Sequence, residues 1–187
     1  MNKSIFRQVC IGELKKLKRV RTYSMDKRVV QKLLALIQNR KAKTVMLYIP
    51  LGIEINVLSL IKKLRKEGAT LLVPFMEGES FSLVKYRLPL SVKKFGVKEP
   101  NRSNTFYKQI DIAIVPVIGI DETFRRVGFG KGYYDRFFEN HKHKVDTVIF
   151  IGRRSCIAST IVTDDYDVEG DLYITPKKIY HNKRFKQ

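Results

Sequence analysis

Apolar residues recur at two periods along this chain, and the alternation between them outlines a fold. From Lys3 to about Arg19, Ile5, Phe6, Val9, Ile11, Leu14 and Leu17 fall roughly at helical spacing. A second helical pattern follows Ser24, a suitable N-cap, with Val29, Val30, Leu33, Leu34 and Ile37 on one side. Thr44 to Pro50 (TVMLYIP) is then a short apolar run that reads as a buried strand stopped by proline. Asn56 is placed to cap the next helix, whose apolar face is Val57, Leu58, Leu60, Ile61 and Leu64 and which ends near Gly68.

Thr70 to Met76 reads as a second buried strand, completing a β–α–β unit, and Ser80 to Tyr86 as its hairpin partner through Glu77 and Gly78. Leu88 to Thr105 is irregular, with Pro89, Gly96 and Pro100, and a stretch of that kind packs over a site or moves. Asp111 to Asp121 is a strongly apolar strand, a helix starts near Lys131, and further strands are expected at Val145 to Ile151 and around Leu172 to Thr175. No internal repeat or flexible linker appears. Strands alternating with helices predict one α/β domain, residues 1–187, with a largely parallel sheet.

Composition narrows the class. With 44% hydrophobic residues the chain can fill a core, which excludes a disordered tail protein. No apolar run reaches membrane length and the N-terminus lacks a secretory signal pattern, so a soluble cytoplasmic protein is expected. Lys and Arg number 37 against 18 Asp and Glu, a net charge of +19 that attracts nucleic acid, nucleotide phosphates or polycarboxylates. The bases are dispersed, with denser patches at Lys15 to Arg21 and Lys177 to Arg184; dispersed charge reads as solvated surface. Cys10 and Cys156 cannot make a zinc site alone, and Cys156, with no acid–base partner indicated, reads as a buried structural thiol. His141 and His143 point apart on a helix and read as surface residues.

The stretch RRVGFGKGYYDR, Arg125 to Arg136, concentrates the candidate chemistry. Its alternating Gly128, Gly130 and Gly132 let backbone N–H groups approach a ligand, and Arg125, Arg126 and Lys131 supply charge for phosphate oxygens. Neither a Walker A loop nor a dinucleotide fingerprint fits, because Gly132 replaces the required Ser or Thr and the glycines fall as G-x-G-x-G. Asp135 follows the loop, and Asp164, Asp165, Asp167 and Asp171 form an acidic cluster; a carboxylate from each would suit Mg²⁺. Lys3 and Arg7, four apart, can reach one ligand, and Glu54 in LGIEIN sits in the turn after a strand, where α/β sheets bind ligands.

In this order along the chain, the residues resemble the 5-formyltetrahydrofolate cyclo-ligase family: R-V-G-x-G-K-G-Y-Y-D from Arg126 to Asp135, Lys3 with Arg7, Tyr48 to Asn56 around Glu54, FGVKEP, and Asp167 with Asp171. The resemblance implies a three-layer α/β/α sandwich with a mostly parallel central sheet. It implies ATP-dependent conversion of 5-formyltetrahydrofolate to 5,10-methenyltetrahydrofolate, with ATP and Mg²⁺ as cofactors. Lys3, Arg7, Arg126, Val127, Gly128, Phe129, Gly130, Lys131, Gly132, Tyr133 and Tyr134 would form the nucleotide site, and Asp135 and Asp167 would hold the metal. Ile49, Glu54 and Tyr133 would contact the folate, and Arg126, Lys131 and Tyr133 would act in catalysis. A monomer acting on small molecules is expected, the surplus positive charge suiting a polyglutamate tail, with no membrane partner and nucleic acid not the primary one. A non-catalytic nucleotide- or folate-binding member and a basic nucleic-acid-binding domain are the competing readings. The chain departs from the family pattern at Phe75, for a basic residue; at Cys156, near the place of a glutamine; at Val162, for proline; and at Tyr166, for histidine.

Overall fold

The computed structural model describes residues 1–17, 19–92, 98–103 and 107–183, without the side chains of Arg19 and Val20. Its centre is a seven-stranded sheet in the order β11-β10-β9-β6-β1-β2-β3. The strands are β1 (Thr44–Met46), β2 (Thr70–Glu77), β3 (Ser80–Lys85), β6 (Ile110–Pro116), β9 (Val145–Ile151), β10 (Leu172–Ile174) and β11 (Ile179–His181). The five central strands run parallel, and the edge strands β3 and β11 pair antiparallel with β2 and β10. In the centre Val45 lies level with Leu71 on one side and Ile112 on the other.

Why the central strands read as unbroken apolar runs follows from burial on both faces. Val45, Ile112, Ile114, Ile149 and Ile151 face one core with Val29, Leu33 and Ile37 of α2 (Arg19–Asn39) and Leu60, Ile61 and Leu64 of α3 (Leu58–Lys66). Met46, Ala113, Val115, Val148 and Phe150, their alternates, face a second core with Phe137 and Phe138 of α4 (Tyr133–His141). Helices thus cover both faces and the layers are α/β/α, as the resemblance implies. Among the described residues no helix is long and apolar enough to cross a membrane.

A third, smaller core lies beyond the end of β6. Here Phe6 and Cys10 of α1 (Lys3–Lys15) meet Ile118, Val127, Ala158 and Val162. Cys10 and Cys156, 146 residues apart, are joined by a disulfide with Cα atoms 6.1 Å apart. Cys156 is therefore not the free structural thiol expected: the fold lays α1 against the loop after β9, which sequence spacing could not reveal.

Other boundaries differ for local reasons. Asn2 caps α1 by accepting from the Ile5 N–H (2.9 Å), and the helix stops at Lys15, short of Arg19. Ser24 is no N-cap, because α2 already starts at Arg19 and nothing between Arg19 and Ser24 breaks a helix. Asn56 does act near the start of α3, its Oδ1 accepting from the Leu58 N–H (3.0 Å). β1 ends at Met46 rather than at Pro50, and α4 begins at Tyr133 after a left-handed Gly132 rather than at Lys131. The Leu88–Thr105 stretch contains a small antiparallel pair, β4 (Leu90–Val92) with β5 (Lys98–Pro100). Phe95, Gly96 and Val97 of FGVKEP, Thr105, Lys18 and Arg184 lie outside the described residues. A further antiparallel pair, β7 (Gly119–Ile120) with β8 (Arg126–Val127), folds the segment after β6 back on itself.

Candidate functional site

The sheet order fixes where a ligand can enter. From β1 the chain moves to β2 on one side; β6 then returns to the other side of β1, and β9 continues outward. That reversal leaves a crevice at the C-terminal ends of β1 and β6, the usual binding position in open α/β sheets. The loop after β1 carries Glu54 and the loop after β6 leads through β7 and β8 to the glycines. A cleft at this place is lined by Glu54, Ile55, Val117, Phe129, Gly152 and Arg153. A larger cavity of about 440 Å³ lies at the opposite strand ends, beside Lys41, Glu67 and Gly68, and is lined by none of the candidate nucleotide, folate or metal residues. Position on the sheet, not size, identifies the site.

On the glycine side, β8 presents Arg126 almost fully buried (5% exposed), its Nε and Nη2 donating to Asp135 Oδ1 and Oδ2 at 2.8 and 2.7 Å. Asp135 Oδ1 also accepts from the Val168 N–H (3.3 Å), and the Arg126 guanidinium lies 5.2 Å from the centre of the Tyr134 ring. The loop then turns through Gly130 (φ 100°) and Gly132 (φ 66°), left-handed positions that a side chain would strain. Val127 is buried, Lys131 and Phe129 are exposed, and Tyr133 lies against Arg136, 5.6 Å from its guanidinium carbon.

Helix α1 crosses this loop. Arg7 Nε donates to the Gly128 carbonyl (2.7 Å), while Lys3 Nζ binds Asp164 Oδ2 (3.0 Å) and Asp167. Together the two carboxylates hold the Lys3 ammonium above its ordinary pKa, although partial burial opposes them as the largest single influence. The segment that carries these aspartates is anchored by Asp121, fully buried, which accepts from Thr123 and from the Val162 and Thr163 N–H groups. Tyr166 is exposed and donates to Asp164 (2.8 Å); Val162 and half-buried Phe75 pack into cores.

The expected metal pair must be tested against these contacts. Both oxygens of Asp135 are engaged by Arg126, and Asp167 Oδ2 accepts from Lys3 and from the Asp164 N–H (2.8 Å). Among the described residues no group of three His, Cys, Asp or Glu could hold a metal ion. As arranged, the residues do not fit a resident Mg²⁺, since Arg126 takes both oxygens of Asp135 and the Lys3 ammonium sits on Asp167.

The other wall is different. Glu54 lies in the turn after β1, its Oε2 accepting the Leu51 N–H (2.8 Å). Burial pushes its carboxyl up to about 7, with the Leu51 hydrogen bond and the charge of Arg153 pulling back. Ile49 is half-buried against the α2–α3 core. Burial and then the Glu54 charge push the Tyr134 hydroxyl above its ordinary range, while Arg126 pulls it down, so Tyr134 feels both walls. The space left beside Glu54 is only about 10 Å³, room for roughly one water.

Arg153 and Asp26 were not anticipated. Arg153 Nε and Nη2 donate to Asp26 Oδ1 and Oδ2 (both 2.8 Å), and Nη1 donates to the carbonyls of Gly52 (3.2 Å) and Ile53 (2.9 Å). The one available signal was position: Arg153 is the first side chain after Gly152 at the end of a central strand.

A profile of the 5-formyltetrahydrofolate cyclo-ligase family matches residues 1–176. The 5-formyltetrahydrofolate cyclo-ligase of Haemophilus influenzae is 26% identical over 154 residues, covering 78% of this chain and 82% of that protein. The 5-formyltetrahydrofolate cyclo-ligase of Mycolicibacterium smegmatis is 29% identical over 146 residues, covering 73% and 75%. The solved structure of Aquifex aeolicus 5,10-methenyltetrahydrofolate synthetase superposes with a TM-score of 0.82 at 27% identity, over 100% of this chain and 96% of that one.

Proposed function

The chain belongs to the 5-formyltetrahydrofolate cyclo-ligase family, and we propose that it converts 5-formyltetrahydrofolate to 5,10-methenyltetrahydrofolate at the expense of ATP, releasing ADP and phosphate. The observation that carries this reading is the cleft at the strand ends, which Glu54 of the turn after β1 and Phe129 of the glycine loop line together. A folate-facing acid and the phosphate-facing loop therefore meet at one place.

The formyl oxygen is a poor leaving group until it is phosphorylated. In our reading the γ-phosphoryl group passes to that oxygen; N10 of the folate then attacks the formyl carbon and loses its proton as the C–O bond breaks and phosphate departs. Such transfer needs positioning and charge stabilisation rather than a protein nucleophile. Arg7, Arg126, Lys131 and Lys3 would hold the phosphates, with the N–H groups from Gly128 to Gly132 approaching them. Tyr133 would stand between the two substrates. Lys3 and Arg126 already carry carboxylates, so phosphate binding there exchanges one anion for another. Glu54 in its ionised form would accept two pterin N–H groups, with Ile49 behind it. Magnesium would arrive on the nucleotide, and no step is assigned to a protein-held ion. We also propose a single-domain cytoplasmic monomer, whose +19 charge favours a polyglutamate tail.

The test is direct. Mixed with Mg·ATP and 5-formyltetrahydrofolate, the protein is expected to raise the absorbance of the methenyl product. No product under conditions where the Haemophilus influenzae relative turns over overturns the proposal.

A further inference from the structure

We propose that Arg153 is the positioning residue for Glu54: its guanidinium ties the turn 52–56 to α2 and so fixes where the folate-facing carboxylate points. This rests on the reading of Glu54 given above.

The geometry is that of a clamp on both ends of one turn. Arg153 follows Gly152 at the end of β9 and lines the cleft beside Glu54. Nη1 holds the Gly52 and Ile53 carbonyls, immediately before Glu54. Its carboxylate partner Asp26 holds the other end, Oδ2 accepting the Asn56 N–H at 3.0 Å. Within the turn, the Glu54 N–H donates to the Leu51 carbonyl (3.0 Å), and Glu54 Oε2 accepts from the Leu51 N–H. Three segments distant in sequence, α2, the β1–α3 turn and the β9 end, therefore meet on one planar cation.

Arg153 is spent on protein. Its donors at all three nitrogens are directed at Asp26 or backbone carbonyls, and both side chains of the pair are about nine-tenths buried. A solvated anion-binding arginine would leave its fork open. A lysine could not replace it, because a single ammonium cannot span a carboxylate edge and two carbonyls in fixed planar geometry. Nor is bare stability a sufficient account, since a buried ion pair often contributes less than apolar packing of the same volume. Ordering a turn is what two bonds to consecutive carbonyls accomplish. An acid misplaced by about 1 Å loses its paired bonds to a flat heterocycle, which can lower productive binding by orders of magnitude.

The experiment compares Arg153→Lys, Asp26→Asn, Glu54→Gln and the double variant Asp26→Leu/Arg153→Met. The double variant removes both charges together, so that no unpaired buried charge unfolds the protein. We expect the double variant and Arg153→Lys to raise KM for 5-formyltetrahydrofolate about tenfold while KM for ATP stays within about twofold. Hydrogen exchange at the Leu51 and Glu54 amides, neither bonded to Asp26 or Arg153, should quicken in both. Unchanged exchange, or equal KM increases for both substrates, overturns the clamp. So does a KM effect in Arg153→Lys that Asp26→Asn does not share at all, because Arg153 would then touch the folate directly. If Glu54→Gln leaves KM for the folate unchanged, the reading of Glu54 itself fails, while the amide exchange still decides whether Arg153 orders the turn.

Discussion

Along the glycine wall of the cleft, cations sit on carboxylates: Arg126 on Asp135, Lys3 between Asp164 and Asp167, Arg125 beside Asp165. Across the cleft, Glu54 accepts one backbone N–H and, among the described residues, forms no salt bridge, and burial pushes its carboxyl up to about 7. Arg153, whose charge acts on Glu54, is committed to Asp26. In the unliganded protein one wall rests as ion pairs that a polyanion must open, whereas the other holds an acid whose ionisation burial delays. Charge on the first wall is stored in matched form; on the second it is withheld.

Unmatching an ion pair on the glycine wall should do the most damage. Arg126→Ala leaves Asp135 buried without its guanidinium, which should cost about 3–5 kcal/mol of stability and abolish ATP-dependent turnover. Arg126→Met with Asp135→Leu should regain most of that stability and none of the turnover. Urea unfolding beside the product assay reads both. If the double variant is no more stable than the single one, the pair is not what neutralises this wall.

Next in size is the Cys10–Cys156 disulfide, which secures the helix bearing Lys3 and Arg7 to the loop after β9. Closing so long a loop is worth about 3–5 kcal/mol in the chain-entropy account. Reduction with a dithiol, or Cys10→Ser with Cys156→Ser, should therefore lower the Tm and raise KM for ATP more than KM for the folate. An equal change in both constants would mean that α1 serves the whole cleft.

Glu54 comes third, through the dependence of stability on pH. Its folded value of about 7 lies above the unfolded 4.5. Below pH 4.5 both states carry the proton and nothing is lost. Between 4.5 and 7 the unfolded chain releases it first, so the protein loses up to ~3 kcal/mol, a loss complete above pH 7. Glu54→Gln should match the parent at pH 4.5 and exceed it at pH 8 in urea unfolding. The groups facing Glu54 are Tyr48, Tyr134 and Arg153, and the two tyrosines are pushed further from ionising. The parent's kcat/KM for 5-formyltetrahydrofolate should fall as pH drops through about 7, and Glu54→Gln should lack that limb. A limb that persists in the variant belongs to another group.

Much of this contrast was legible in the sequence on one wall and little of it on the other. The glycine loop announces itself because its chemistry is contiguous: residues 126 to 135 contain the Arg126–Asp135 pair, the left-handed glycines and the start of α4. The central strands were equally plain, since burial on two faces writes unbroken apolar runs. Ser24 misled because local cap chemistry yields to a longer helix. β11 and the β7–β8 pair are too short to leave a period. Arg153 was hidden for a different reason: its partner Asp26 is 127 residues away, and only the closed sheet brings them together. The disulfide was hidden in the same way. Matching of charge is a tertiary property, so the sequence showed which groups are present but not which of them are already satisfied.

The smallest expected effect tests how far the matched wall extends toward solvent. Tyr166 is exposed, lies 5.3 Å from the Lys3 ammonium at its ring centre, and donates its hydroxyl to Asp164. That hydrogen bond is the main reason the Asp164 carboxyl titrates below its ordinary value, with Lys3 second. Tyr166→Phe keeps the ring over Lys3 and removes only the donor. Stability should not change, because both groups are in water and exposed pairs contribute little. The Asp164 carboxyl should move back toward the ordinary carboxylate value in an NMR titration, and only near that value, about pH 4, does Lys3 lose part of its anionic company and bind phosphate slightly better. KM for ATP measured there is expected to drop by less than about twofold, and only at low salt, where surface charge is unscreened; at neutral pH it should not change. A larger drop that survives high salt would place Tyr166 within the matched wall, holding Asp164 against Lys3 and away from the nucleotide.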